Sequence, residues 1–507
     1  MPAHNPITTV KWLFQSAKGV YRFLQSLAYG YPNRASPPID RRHVLALTGA
    51  LVAGAAGCLS GEDDPTDDTG TGNGDSDTND DISPTDPGKN GFDDYDVPAF
   101  PQVDFVTDPD VDSDVLEAQI RGNVGFSLTL LAQLRGEAPT QNLFVSPYSV
   151  SVALAMTYAG ARGETAKAMA EALEFRLEGD DLHAAFGALE AEFVRRNEDG
   201  ETVETPYGAD EEENEDTPAF QLATGNALWG QEGYGFREEF LDLLEAYYGA
   251  GMQLVDFSGD TDAARETINA WVEEQTNDRI EDLLQPGDIS SLTRLVLTNA
   301  IYFLAPWHHD FDPADTSTGT FTSLDGSETD LELMYQSTEL LYAEIEGHQL
   351  VELPYANQET SMIVILPAEG EFEAFEEAFS VDRLATMLEA TTKPQVDLTL
   401  PRFGIESRFS LLEVLSDLGM PLAGNFSGID GDGGLEISEI IHQSFIEVDE
   451  EGTEAAAATA VAMDESAPAD HVEMVVDRPF LFYIRDRPTE TPVFVGRVID
   501  GETLQEE

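Results

Sequence analysis

The sequence predicts an α+β fold, and three observations carry that expectation. Apolar residues recur at helical spacing early in the globular region, as in Ile120, Val124, Phe126, Leu130, Leu131 and Leu134. Beyond Arg294 the pattern changes to short runs rich in Val, Ile, Leu, Phe and Tyr, which suit a pleated, half-buried surface. Hydrophobic residues make up 41% of the chain, enough for a sizeable core, and no tandem repeat divides it.

Taken in order, the spacing predicts helices over residues 116–134, 149–156 and 166–173, the last two separated by the turn Gly160-Ala161-Arg162-Gly163. Two more are expected over 266–275 and 279–284. Strands follow over 295–303, 350–353, 361–366, 396–400, 472–476, 480–484 and 493–498. The acidic run Asp210-Glu211-Glu212-Glu213-Asn214-Glu215-Asp216 interrupts the helical part and reads as a solvated surface loop.

Against 26 Lys and Arg stand 97 Asp and Glu, a formal net charge of −71. Nucleic acid and anionic membrane surfaces repel such a chain, so neither is expected as an electrostatic partner. The acidity runs through the whole chain rather than one tail. That is the composition of a protein kept soluble in concentrated salt, and it points to a halophilic archaeon as the source.

Residues 1–40 carry basic and aromatic groups, Lys11-Trp12-Leu13-Phe14 and Tyr21-Arg22-Phe23, which could form a short amphipathic helix. They are expected to be an extension upstream of the true start, because an export signal follows them. Residues 41–58 hold its three parts: Arg41-Arg42, an apolar run over 44–56, and small residues before Cys58. Paired arginines suggest the twin-arginine route, and the run is too short to span a membrane comfortably. Ala55-Ala56-Gly57-Cys58 resembles a lipobox, which implies lipidation of Cys58 and an exported protein anchored to the outer face of the membrane. Cys58 is the sole cysteine, so no internal disulfide forms. Residues 59–112 are Asp, Thr, Gly, Ser, Asn and Pro with little apolar content, an acidic linker expected to stay disordered. The globular domain is expected over 113–503, with 504–507 as a tail.

One stretch admits two readings: Glu450-Glu451-Gly452-Thr453-Glu454-Ala455-Ala456-Ala457-Ala458-Thr459-Ala460-Val461-Ala462. Alanines beside glutamates favour a helix. Set on a strand, where side chains alternate, Thr453, Ala455, Ala457, Thr459, Val461 and Met463 share one uncharged face and Glu454 and Asp464 the other. Gly452, which accepts backbone angles closed to other residues, reads as a hinge. Proline is absent from 450 to 466, as a fully hydrogen-bonded strand requires.

Catalytic signatures are missing: no Gly-x-Ser-x-Gly elbow, His-Glu-x-x-His helix or phosphate-binding glycine loop is evident. His308-His309-Asp310 invites a metal assignment, but adjacent histidines point differently on a strand, and a surface or turn site is the better reading. No catalytic residue, metal or cofactor is assigned, and the chain is read as something other than an enzyme.

An ordered series of motifs then resembles the serpins, the family of serine protease inhibitors. Asn142-Leu143-Phe144-Val145-Ser146-Pro147-Tyr148-Ser149-Val150, with Gly160-Ala161-Arg162-Gly163-Glu164-Thr165, is similar to their helix B and shutter region. Leu297-Thr298-Asn299-Ala300-Ile301-Tyr302-Phe303, with Trp307, resembles the third strand of their sheet A. Ile268-Asn269-Ala270-Trp271-Val272, Glu352-Leu353-Pro354-Tyr355, Pro401-Arg402-Phe403, Arg478-Pro479-Phe480-Leu481-Phe482 and Phe494-Val495-Gly496-Arg497 continue it in the family's order. The resemblance implies a helical N-terminal part packed on three β-sheets, with an exposed reactive loop. It also implies a monomer whose loop is bait for a serine protease: once cut, the loop inserts into sheet A and traps the protease as a covalent acyl-enzyme.

By the same resemblance Glu450, Gly452, Thr453, Ala455, Ala456, Ala457, Ala458 and Thr459 form the proximal hinge. Its small, uncharged inward face suits insertion, whereas a charge buried there would be costly; a non-inhibitory member acting in binding, storage or chaperoning is the alternative. Ser146, Ser149, Asn299 and His442 match the shutter, and Trp307 and Glu450 the breach where insertion begins. The family's hinge-to-bait spacing places the cut between Ser466 and Ala467, although the segment from there to Arg478 is about two residues longer than in familiar animal members. Ala467-Pro468 is unattractive because proline lacks an amide hydrogen; Glu465-Ser466 stays open. Ser466 implies a shallow specificity pocket, elastase-like or subtilisin-like, and no Arg or Lys lies between 455 and 476 for a trypsin-like target.

The charge predicts that lowering ionic strength unfolds the protein, because self-repulsion is then unscreened. Circular dichroism during dialysis out of concentrated salt checks this; retained structure in dilute buffer contradicts it.

Overall fold

Ser146 starts the helix on which the core is assembled. Its side chain accepts the Ser149 N–H at 3.2 Å, and Pro147 stands in the first turn, where a missing N–H is harmless. In the computed structural model, which describes residues 113–200, 220–248, 252–453 and 471–504, this helix, α2 (Pro147–Tyr158), is buried along its whole length. It follows α1 (Ser113–Glu137) and a three-residue strand, β1 (Leu143–Val145). Next come α3 (Glu164–Ala172), α4 (Gly179–Gly200), β2 (Gln221–Thr224), β3 (Ala227–Gln231), α5 (Glu238–Tyr248), β4 (Gln253–Val255) and α6 (Thr261–Gln275). In the turn before α3, Gly160 is required by space: a Cβ there would lie 2.0 Å from Ile429 Cγ1.

The second half is mostly strand: β5 (Leu295–Pro306), β6 (Ser317–Thr322), β7 (Glu328–Glu339), β8 (Leu341–Ile345), β9 (His348–Pro354) and β10 (Thr360–Leu366). Helices α7 (Phe372–Glu377) and α8 (Val381–Glu389) precede β11 (Gln395–Pro401) and β12 (Phe403–Ser410); α9 (Leu412–Asp417) and α10 (Ser427–Asp430) precede β13 (Glu439–Val448) and the two-residue β14 (Gly452–Thr453). The chain closes with β15 (His471–Val475), β16 (Phe480–Asp486) and β17 (Thr491–Val498).

Three sheets result among the described residues, the architecture the family resemblance implies. One runs β1-β17-β16-β10-β9-β8, a second β15-β11-β7-β6, and the large sheet β12-β13-β14-β5-β3-β4 with β2 also on β5. Helix α2 lies between β17 of the first sheet and β5 of the large one, so the sheets share one apolar core. β5 is buried at every residue but Pro306, and accordingly reads as a nearly unbroken apolar run. Several of the few basic residues are spent inside: Arg497 meets Glu376 at 3.2 Å and Arg485 meets Glu352 at 2.9 Å, pairs that neutralise charge where water is excluded.

Two expectations need correction. Helices and strands are not segregated, since β1 to β4 are interleaved with the early helices; strands of three to five residues are too short for their periodicity to show. The second is local: residues 279–284 are not helical. Ile280, Leu283 and Leu284 have helical spacing and are buried, but beneath α6 in a separate apolar cluster. Asn269 of α6 takes both polar groups of Leu284, donating to its carbonyl at 2.9 Å and accepting its N–H at 2.8 Å. Asn277, Asp278 and Asp282 adopt positive φ angles of 52°, 61° and 48°, which break any helix there. The segments at 1–112 and 210–216 lie outside the described residues.

Asn269→Ala would strand a buried N–H and a buried C=O together. A loss of about 2 kcal/mol is expected, read as a lowered denaturant midpoint in concentrated salt; a change within a few tenths would mean water replaces the amide.

Candidate functional site

The backbone between β13 and β14 makes a tight reversal at Asp449-Glu450-Glu451. Asp449 N–H donates to the Gly452 carbonyl at 3.0 Å, while its carboxylate accepts the N–H groups of Glu451 and Gly452 at 2.9 and 3.1 Å. This returns the chain antiparallel to β13, with Thr453 opposite Val448, and antiparallel to β5, with Thr453 opposite Ala305 and Gly452 opposite Pro306. At that upper end β14 stands between the two strands. Lower down, residues 439–445 of β13 pair directly and in parallel with 296–302 of β5. The large sheet is thus parted at one end and closed along the rest.

Each residue at the parted end has a physical reason. Gly452 does not have the positive φ that the hinge reading expects; it is needed because a Cβ would stand 2.4 Å from the Ala305 carbonyl oxygen. Thr453 is wholly buried, its hydroxyl 2.9 Å from that of Tyr355. Trp307 stacks on Tyr355 at 4.7 Å, its backbone N–H donates to the Glu451 carbonyl at 2.8 Å, and its indole N–H donates to the Asp449 carbonyl at 3.0 Å. Glu450 is buried; burial pushes its carboxyl up, but Arg402, donating at 2.6 Å, and the Thr316 hydroxyl outweigh it and hold the group ionised. Burial lifts Asp449 to about 6 and likewise Asp310, with Glu451 adding repulsion to each. His309 is exposed at a bend just past β5, and among the described residues no group of three or more His, Cys, Asp or Glu could hold a metal.

Where β13 and β5 are closed, a polar cluster lies under them. Ser146 N–H donates to His442 Nε2 at 3.1 Å, so the ring proton sits on Nδ1 and is donated to Asn299 Oδ1. Asn299 Nδ2 donates to Ser149 Oγ at 2.7 Å and to Asn226 Oδ1 at 2.8 Å; Ser149 Oγ donates to Asn226 Oδ1 at 2.6 Å, and Ser146 Oγ to the Val493 carbonyl at 2.7 Å. Ser146, Ser149, Asn299 and His442 are all fully buried. Burial pulls the His442 imidazole down to about 3, so it is neutral at any working pH.

The structure therefore brings Ser146, Ser149, Asn299 and His442, the residues matched to the shutter by resemblance, into one network and sets Trp307, Glu450, Gly452 and Thr453 together at the upper end. Ala455, Ala456, Ala457, Ala458, Thr459, Glu465, Ser466, Ala467 and Cys58 lie outside the described residues. Asn226, Tyr355, Arg402, Thr316 and Asp449 are partners the sequence reading did not name. Arg402 and Tyr355 stood in quoted motifs without a role; nothing local marks Asn226.

The family model for serpins (serine protease inhibitors) matches residues 121–501, nearly the whole of the described region. The chain belongs to the serpin family. It is 38% identical to a serpin-like protein of Thermococcus kodakarensis over 79% of this chain and 91% of that one. It is 35% identical to the leukocyte elastase inhibitor of Bos taurus over 76% of this chain and 99% of the inhibitor. Among solved structures it resembles human thyroxine-binding globulin with a TM-score of 0.66, 28% identity and coverage of 76% of this chain and 99% of that one. Serpins are in general inhibitors rather than enzymes, and many inhibit proteases; others do not.

Neutral His442 makes this serpin acid-sensitive. Its folded value of about 3 lies below the ordinary 6.5, so the unfolded chain takes up a proton that the native form refuses. Stability is full above pH 6.5 and falls toward pH 3 by up to about 1.4 kcal/mol per unit. His442→Asn removes that contribution: the gap in unfolding free energy between the parent and the variant should narrow from pH 6.5 to 4. A gap constant with pH contradicts the assignment.

Proposed function

We propose that this serpin is a suicide-substrate inhibitor of a serine endopeptidase of elastase-like or subtilisin-like preference. The observation that supports it is the half-parted sheet: Gly452–Thr453 already stand between β13 and β5, while below them the same two strands pair directly. The β13–β5 register is the same with or without a strand between, since Val448 and Ala305 both face Thr453 and stand in the offset of the directly paired residues. A strand can therefore enter without shifting either neighbour lengthwise.

A strand inserted in that register would set Ala455 opposite Phe303, Ala457 opposite Ile301 and Thr459 opposite Asn299 on one side and His442 on the other. Entry must break the His442–Asn299 hydrogen bond, and Thr459 arrives with a hydroxyl at that level. Small side chains on the inward face keep the passage over the core open, and a charge there would meet an apolar interior.

Inhibition in this scheme begins as ordinary proteolysis. The protease serine oxygen adds to the Ser466 carbonyl carbon, the Ser466–Ala467 bond breaks, and the serine proton passes through the protease's base to the new Ala467 amine. The freed loop enters the sheet, carrying the esterified protease with it before water can cleave the ester. Glu465–Ser466 remains the neighbouring choice of bond. Export and a lipid anchor at Cys58, with the linker over 59–112 as tether, would place a monomeric inhibitor on the outer face of the cell membrane.

A second reading, a non-inhibitory binding protein, has one observation in its favour. A cavity of about 200 Å³ lies between α1, α8 and the six-stranded sheet, lined by Ile120, Val124, Leu384 and Leu388 among others. The small, uncharged side chains of the hinge favour the first reading.

Incubated in concentrated salt with an elastase-like or subtilisin-like protease, the protein should form an adduct that survives detergent. Thr453→Arg, which puts a charge at a fully buried position, should abolish the adduct and leave loop cleavage unchanged. Cleavage without any adduct, and no rise in melting temperature on cleavage, would favour the binding protein.

A further inference from the structure

His308 and His309 follow Trp307 directly, yet neither ring joins the contacts that hold the parted end. The backbone fixes where they stand: His308 N–H donates to the Pro354 carbonyl at 2.9 Å, at the end of β9. Two other segments are tied to the same end of the six-stranded sheet. Thr392 exchanges two hydrogen bonds of 2.8 Å with Tyr342 of β8, which stands opposite Val351 of β9, and so places Lys393. Arg487 N–H donates to the Glu359 carbonyl and its Nη1 to the Gln358 carbonyl, both at 2.8 Å, in the turn that joins β9 to β10.

Four basic side chains thus gather in a protein whose net charge is −71. The two imidazole rings lie 4.5 Å apart. Burial first, then Lys393 and Arg487, hold the His308 ring below its ordinary basicity; burial, His308 and Lys393 do the same for His309, and no carboxylate raises either. The carboxylates nearby are engaged elsewhere. Glu352 is buried and taken by Arg485 at 2.9 Å and by Arg487 Nε at 2.8 Å, Glu359 meets Arg195 at 3.1 Å, and Asp310 stands beside Glu451, which repels it. Lys393 is exposed and has neither hydrogen bond nor ion pair among the described residues. His308 Nδ1 likewise has no hydrogen-bond partner among them, a state that buried polar atoms rarely keep.

We propose that His308, His309, Lys393 and Arg487 form a binding site for a small tetrahedral oxyanion of the sulfate or phosphate class. Such an ion carries several acceptor oxygens on one centre, which suits donors arriving from three separate segments. Its two negative charges replace the mutual repulsion of the four groups with attraction, and the imidazoles take up protons as it binds, because an adjacent anion favours their charged form. Lys393 and Arg487 stay charged throughout; Glu352, Glu359 and Asp310 are the acidic groups around the site. The acidity of the whole protein repels anions at a distance, but at about 1 M salt that repulsion is screened beyond about 3 Å. A small ion can therefore reach the site, whereas an extended polyanion would still lie against the carboxylates around it. The site needs no inserted loop and goes beyond the inhibitory reading.

Sulfate is the probe, because its charge is constant over the range in which imidazole titrates. Titration calorimetry in concentrated potassium chloride compares the parent with His309→Ala, Lys393→Gln and Lys167→Gln. His309 and Lys393 are exposed, so neither change disturbs the fold; Lys167 on α3 is also exposed and pairs with Glu171, which makes it the control for lost charge alone. Sulfate affinity should fall about tenfold in each of the first two variants, the worth of one charge-assisted hydrogen bond, and stay unchanged in Lys167→Gln. In the parent it should be higher at about pH 6 than at about pH 8, where the imidazoles are neutral, and inorganic phosphate should compete. No heat of binding in the parent overturns the site. Equal weakening in all three variants, or in none, also overturns it, because net charge or another position would then account for the binding. An affinity indifferent to pH overturns the part given to the imidazoles. A sulfated polysaccharide that binds far more tightly than free sulfate overturns the assignment to a small ion.

Discussion

The structure turns on a pair of central strands that run the same way. β13 and β5 are parallel and directly bonded along seven residue pairs, and β14 runs opposite to both where they part. Parallel ladders have slanted hydrogen bonds and are slightly weaker per residue than antiparallel ones. One strand entering between them would exchange a parallel ladder for two antiparallel ladders and bury another apolar face. Strand direction and burial would both favour insertion, and what needs explaining is why the sheet stays closed below Thr453.

The polar cluster beneath the closed part supplies a reason. An apolar patch there would resist parting only through packing, which yields gradually. A connected set of buried hydrogen bonds yields all at once, because each group left without a partner in a low-dielectric interior is destabilising. His442 ties β13 to β5 through Asn299 and to the start of α2 through the Ser146 N–H. One imidazole therefore couples both strands of the seam to the core helix. It does so as a neutral ring, since an imidazolium has no lone pair left to accept from Ser146. The tightness of the burial that depresses its basicity also preserves the hydrogen-bond pattern.

How much of this was legible in the sequence depended on the range of the interaction. β5 shows as a continuous apolar run because both its faces are buried, and the helical spacing of α1 is plain. β13 went unread because its buried residues include His442, Gln443 and Ser444, polar groups whose partners lie far away in the chain. Asn226 was invisible for a related reason: its place in the network is set by β5 and α2, and nothing beside it in sequence marks it. Residues 279–284 misled because i, i+3, i+4 spacing also serves an irregular segment whose backbone is held by one asparagine. Gly452 was singled out for the wrong property; backbone angle and close approach both select glycine, and only the neighbouring strand distinguishes them.

In the proposed mechanism the length of the loop has a geometric logic that composition cannot show. β5 offers twelve residues, Leu295–Pro306, and an entering strand anchored at Gly452 opposite Pro306 exhausts them at Met463. A bond cut close beyond that point leaves a short tether, and each additional residue lengthens it by about 3.3 Å. Five or six more residues would let a protease hang clear of the molecule, relax, and complete hydrolysis. A cut before Met463 would require the bulky partner to enter the sheet itself. The proposed bond at Ser466–Ala467 would fall in the narrow interval between these failures, and Glu465–Ser466 would lie within it too. On this view the position of the bait is dictated by the length of the strand it must run beside, while the residue at the bait answers only to the protease.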